Sequence, residues 1–113
     1  MKSKRENADY LADIREYAGK ALKFVEGVSF EEFLQNEEKV LAVLYVLQIV
    51  GEAASKLSRD FTEQFPTIPW ADIVGMRNFI VHGYFRVDFE VVWRTVVEDL
   101  PVLLLSLENI PEE

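Results

Sequence analysis

Apolar residues recur at helical spacing along most of the chain. Tyr10, Ile14, Tyr17, Ala21 and Phe24 step by fours and threes, which predicts an amphipathic helix from about Arg5 to Val25. Gly27 is placed to end it. Ser29 followed by Glu32 forms a capping box for a short helix, Phe30 to about Gln35. A long helix is expected from about Glu37 to Ser58. Its first half, Val40 to Val50, is apolar almost all round with only Gln48 polar, a pattern a helix tolerates when neighbours surround it. Its second half is amphipathic, and Gln48, Glu52, Ser55 and Arg59 fall along one line, a solvated or dimer-facing stripe.

Pro66 and Pro69 break the helical pattern between Phe61 and Pro69, leaving room for one helical turn around Asp60 to Gln64. Pro69 suits the first turn of a helix from Trp70 to about His82, and Gly83 suits its end. Asp88 can cap a last helix beginning at Phe89, whose stripe runs Phe89, Trp93, Val96, Leu100, Leu103 and Leu107. Pro101 removes one internal hydrogen bond there and predicts a kink. Trp70 and Trp93 read as core residues. No stretch alternates as a strand does. The expected architecture is an all-α, antiparallel bundle of four to five helices in one domain, residues 1–113, with a surplus apolar face buried in a dimer.

Composition narrows the chemistry. Half of the residues are hydrophobic, enough for a packed core and incompatible with a disordered chain. The absence of cysteine and a single histidine exclude disulfides, thiolate chemistry and a multi-histidine metal site within one chain, so neither a metal nor a cofactor is expected. Val40–Val50 is far shorter than the roughly 20 apolar residues of a membrane span. The amino end reads as charged and amphipathic rather than as an export signal, so a soluble, cytoplasmic protein without a membrane role is expected. A net charge of −8 argues against coating nucleic acid by bulk electrostatics. The acidity is uneven, however. Residues 71–94 balance three basic against three acidic groups, whereas residues 26–64 carry a net −5. An anionic ligand meets less repulsion in the balanced stretch, which holds Arg77, Arg86, Arg94 and the histidine.

That stretch also carries the candidate chemistry. On a helix Asn78 and His82, four apart, lie one above the other, with Arg77 one row over. Tyr84 projects near the exit turn that Gly83 predicts. Guanidinium, imidazole, amide and phenol can thus converge at one helix end. Arginine forks onto phosphate and stays charged, able to stabilise charge building in a transition state. Histidine titrates near neutrality and can move a proton to or from a ribose oxygen. Asn78 can fix the imidazole tautomer, and Tyr84 can orient phosphate or stack on a base. These are parts for cleaving an RNA phosphodiester without metal. One histidine cannot readily serve as base and acid together; a two-fold dimer supplies a second. Structural readings stand beside this one: His82 as a helix cap or satisfied core residue, Arg77 paired with Asp72 or Asp88, Tyr84 as a half-buried aromatic.

Arg77-Asn78 followed by His82-Gly83-Tyr84 matches the R-x-x-x-x-H-x-Y pattern of the HEPN superfamily. Ile49-Val50-Gly51-Glu52-Ala53-Ala54, Pro69-Trp70, Ile73 to Asn78, and Val92-Trp93 ahead of Leu100-Pro101 resemble the HepT-like toxins, a likeness spanning about Tyr10 to Leu107. The resemblance implies a HEPN-like helical bundle that dimerises and brings two motifs to a shared cleft. It implies a metal-independent endoribonuclease, the toxin of a toxin–antitoxin pair neutralised by an MNT-type nucleotidyltransferase antitoxin. It makes Arg77 and His82 catalytic, Asn78 and Tyr84 supporting and orienting, and Tyr84 the acceptor of AMP. An AMP there would place negative charge where RNA phosphate must sit. The alternative within the same resemblance is a non-catalytic HEPN module that binds nucleotide or protein and partners a nucleotidyltransferase. The overall acidity fits RNA binding if a dimer cleft gathers Arg77, Arg86 and His82 from both chains.

Overall fold

The computed structural model describes residues 5–78 and 87–110, and every described element is helical. Helix α1 (Asn7–Val25) begins at Glu6, whose side chain and that of Asp9 close a reciprocal capping box. Placing the cap at Glu6 leaves Arg5 outside the helix. Gly27 takes φ +72, the left-handed conformation that only glycine adopts without strain, and the chain reverses. Helix α2 (Phe30–Gln35) carries the predicted Ser29–Glu32 capping box. Helix α3 (Glu37–Ser55) is capped by Asn36.

Two contacts set the direction of packing. Lys39 at the start of α3 donates from Nζ to the Phe24 carbonyl at the end of α1, 2.9 Å away. At the opposite end, Asn7 and Ser58 exchange two hydrogen bonds of 3.2 and 3.0 Å. Helices α1 and α3 therefore run antiparallel along their full length. Leu11, Ile14, Ala18, Val43, Leu47 and Val50 are sealed in the core of the molecule.

Helix α3 stops at Ser55 rather than continuing to Ser58, because the Ser58 hydroxyl accepts from the Phe61 amide and caps helix α4 (Arg59–Glu63). Arg59 consequently lies on a different helix, off the polar line of Gln48, Glu52 and Ser55. The apolar half of α3 is also not enclosed on all sides. Leu41 and Tyr45 remain 58% and 64% exposed within the chain.

Helix α5 (Trp70–Gly75) starts from Pro69 and is anchored by Trp70, whose indole N–H donates to the Phe65 carbonyl at 3.1 Å. Helix α6 (Phe89–Arg94) is capped by Asp88, whose carboxylate accepts from the Glu90 and Val91 amides. It leads into a π-helical turn, Thr95–Asp99, and then helix α7 (Leu100–Leu107). The proline in α7 is thus accommodated by a widened turn just before it, where the Leu100 amide reaches back to the Thr95 carbonyl. Pro101 has no amide to offer Val97, and a wider turn eases its ring past that carbonyl. Val96, Leu100 and Leu107 of this run are fully buried. Phe89 and Trp93 lie half-buried at its start, Trp93 packed against Phe30 and Phe33. Trp70 is likewise half-buried rather than sealed. Arg15 of α1 closes the far end by donating to the carbonyls of Leu107 and Ile110. The run from α6 to α7 is therefore antiparallel to α1, completing an all-α bundle. Among the described residues no helix is long and apolar enough to cross a membrane.

Candidate active site

Arg77 owes its place to a glycine on another helix. Regular α5 ends at Gly75, and Met76 and Arg77 tighten into a turn whose amides bond back to the carbonyls of Ile73 and Val74. The expected uninterrupted helix from Trp70 to His82 is therefore broken before the motif begins. Met76 is buried and anchors the turn. The turn lies directly on α3 at Gly51. A Cβ built on Gly51 would stand 2.6 Å from the Arg77 nitrogen and 2.9 Å from both the Arg77 Cβ and the Val74 carbonyl. No other residue type fits without moving one backbone off the other.

That close approach puts the Arg77 side chain beside the next residue of α3. Its Nη1 lies 3.6 Å from Glu52 Oε1, with side-chain exposures of 37% for Arg77 and 51% for Glu52. The arginine's partner is thus Glu52 from the long helix, not the Asp72 or Asp88 anticipated from sequence proximity, because the turn after Gly75 faces α3. A single contact of this length at the surface is a weak ion pair. Among the described residues it is the one ion pair the guanidinium makes, set against five N–H donors. Asn78 follows on the exposed surface. His82 and Tyr84, with Gly83 and Arg86, lie outside the described residues, so the structure places Arg77 and Asn78 of the predicted constellation and not its imidazole or phenol.

Glu52 and Gly51 are the contributors that reading along the sequence missed as site residues. Both belong to the stretch Ile49 to Ala54, and Glu52 was legible only as part of a polar stripe. Glycine inside an otherwise apolar helix was the available signal, since it commonly marks close backbone approach. Beyond Glu52, α3 and α1 form an open groove of about 290 Å³ lined by Arg5, Tyr10, Gln48, Glu52 and Lys56 among others. A second, apolar groove of about 640 Å³ runs between Leu34, Leu41, Leu44, Tyr45, Val87 and Phe89. Val87 and Phe89 are where the chain returns after the motif, so this groove adjoins the candidate site in the chain. Among the described residues no three His, Cys, Asp or Glu side chains converge as a metal site.

Comparison with known proteins agrees on one family. The profile of the family described as Ribonuclease HepT-like matches residues 14–110. A protein of Methanocaldococcus jannaschii with a provisional RNase designation is 38% identical over 106 residues, covering 94% of this chain and 97% of its own length. A protein of Thermococcus cleftensis, provisionally designated ribonuclease HepT, is 39% identical, covering 95% of this chain and 97% of that one. A provisionally designated RNase of Caldanaerobacter subterraneus is 33% identical, over 89% of this chain and 90% of its own. No solved structure matches the chain significantly.

Proposed function

Because the chain belongs to the HepT-like ribonuclease family, we propose that it is a metal-independent endoribonuclease acting as a cytoplasmic toxin, cutting RNA at a composite site on a homodimer. The observation that carries this reading is the Arg77 turn, seated on α3 at Gly51 with its side chain 37% exposed. Arg77 grips the phosphate and stabilises the extra negative charge of the pentavalent transition state. His82 of one protomer takes the proton of the ribose 2′-hydroxyl. The 2′-oxygen attacks phosphorus, the bond to the 5′-oxygen breaks, and His82 of the other protomer protonates that leaving oxygen. Asn78 and Tyr84 orient imidazole and phosphate. The products are a 2′,3′-cyclic phosphate and a 5′-hydroxyl.

The homodimer is supported by the exposed apolar face of Leu34, Leu41 and Tyr45. Its groove is completed by Val87 and Phe89, the residues at which the chain leaves the motif segment. A two-fold axis near this face would bring two motifs together and supply the second histidine. The proposed antitoxin is an MNT-type nucleotidyltransferase that transfers AMP to Tyr84, whose added charge would repel RNA phosphate.

The test is RNA cleavage by the purified protein in the presence of a chelator. Wild type cuts, and His82→Ala and Arg77→Ala fold but do not. Absence of cleavage by wild type, with a nucleotidyltransferase still bound, would establish the non-catalytic binding module instead. Intact mass after incubation with that partner and ATP should rise by one AMP, and Tyr84→Phe should abolish the gain; an unchanged mass removes modification from the account.

A further inference from the structure

We infer that Glu52 is a positioning residue for Arg77, its carboxylate sharing with the RNA phosphate one guanidinium. The inference rests on the ribonuclease reading above. Gly51 brings the backbone of Arg77 against α3, so the arginine's starting point is fixed relative to the neighbouring residue, Glu52. The 3.6 Å contact from Nη1 to Oε1 then restrains the far end of the side chain. A long arginine held at both ends samples fewer orientations before substrate arrives, and orientation is what a phosphate-binding group contributes to rate. The pair is too weak and too open to compete away a phosphate, which can take the remaining N–H donors bidentately.

The same carboxylate places a negative charge beside the phosphate position. Its removal therefore has two opposed consequences: weaker repulsion of bound RNA, and a guanidinium free to point elsewhere. The first lowers KM and the second lowers kcat. A residue needed only for folding would not lower both, and neither would an acid lying far from the site.

The experiment is steady-state cleavage of a short fluorogenic RNA by the full chain, comparing wild type, Glu52→Ala, Glu52→Gln and, as a remote acid, Glu63→Gln. Glu52→Ala should lower kcat by up to about five-fold and KM by about two- to five-fold at low salt, the scale of exposed charge pairs. Glu52→Gln keeps a polar oxygen of the same reach beside Arg77 without the charge, so it should recover part of kcat while retaining the low KM. The KM change should vanish at high salt, and Glu63→Gln should match wild type. Unchanged kcat in Glu52→Ala, or a raised KM, overturns the assignment. So does Glu52→Gln proving as slow as Glu52→Ala with one limb of the pH–rate profile gone, since that marks a proton-transfer group. Failure of wild type itself to cut RNA sinks the ribonuclease reading and this one together, whereas active wild type with unaltered Glu52→Ala kinetics sinks this one alone.

Discussion

Replacing Gly51 by alanine asks directly whether α3 seats the motif turn. The new methyl would meet the Arg77 nitrogen at 2.6 Å and two further atoms at 2.9 Å. These are backbone atoms and a Cβ, none the yielding tip of a flexible side chain, so the turn has to retreat. Overpacking of this kind costs about 1–3 kcal/mol, while alanine in a helix interior gains up to about 1 kcal/mol over glycine. Gly19 in α1 isolates the second effect, because a Cβ there has nothing within 4 Å. Gly19→Ala should be neutral or stabilising, and Gly51→Ala should be less stable than Gly19→Ala by about 1–3 kcal/mol. For a domain of this size that separates their midpoints by roughly 4 °C per kcal/mol. Urea unfolding at one protein concentration measures the difference, with equal m-values showing that the unfolded states are comparable. Cleavage should fall by about ten-fold or more in Gly51→Ala, since shifting a phosphate-gripping group by a fraction of an ångström is costly. Equal stability of the two alanine variants would refute the steric argument. A destabilised Gly51→Ala with full cleavage would show that Arg77 is not positioned by this contact.

Asp88→Ala removes the carboxylate that accepts from the Glu90 and Val91 amides and should cost about 1 kcal/mol in urea unfolding. Asp88→Asn keeps an accepting oxygen and should be close to wild type; equal losses in the two would argue against capping. Leu41→Glu combined with Tyr45→Glu alters an exposed face of α3. It should leave the helical content unchanged while converting a dimer to monomer by sedimentation equilibrium, with loss of cleavage. A variant that remains dimeric would move the interface elsewhere.

The helices were legible because their signals are local. The Ser29–Glu32 capping box, Gly27 and Asp88 act within one or two turns, and the structure realises each of them, while Val96, Leu100, Leu103 and Leu107 of the last stripe are buried. Departures arose where a residue had two local uses or a distant neighbour. Ser58 could extend α3 or cap α4, and its side chain bonds to Asn7 as well as to the Phe61 amide, which favours the cap. Pro101 predicts a kink, and what the local pattern did not give is the π turn at Thr95–Asp99 just before it. Arg77 had acids close by in the chain, yet its partner comes from α3, because ion pairing follows proximity in space.

The order of apolar and polar residues by itself determined an antiparallel helical bundle and a surface motif of arginine and asparagine, since periodicity and capping are properties of short segments. It also carried the family resemblance, since Arg77, Asn78, His82 and Tyr84 are close together in the chain. Which face of α3 meets the motif turn, that Gly51 lets two backbones touch, and that Glu52 stands beside the guanidinium were decided only by tertiary structure. Those contacts join residues about 25 positions apart, and their existence depends on how two helices cross, a quantity no local pattern encodes.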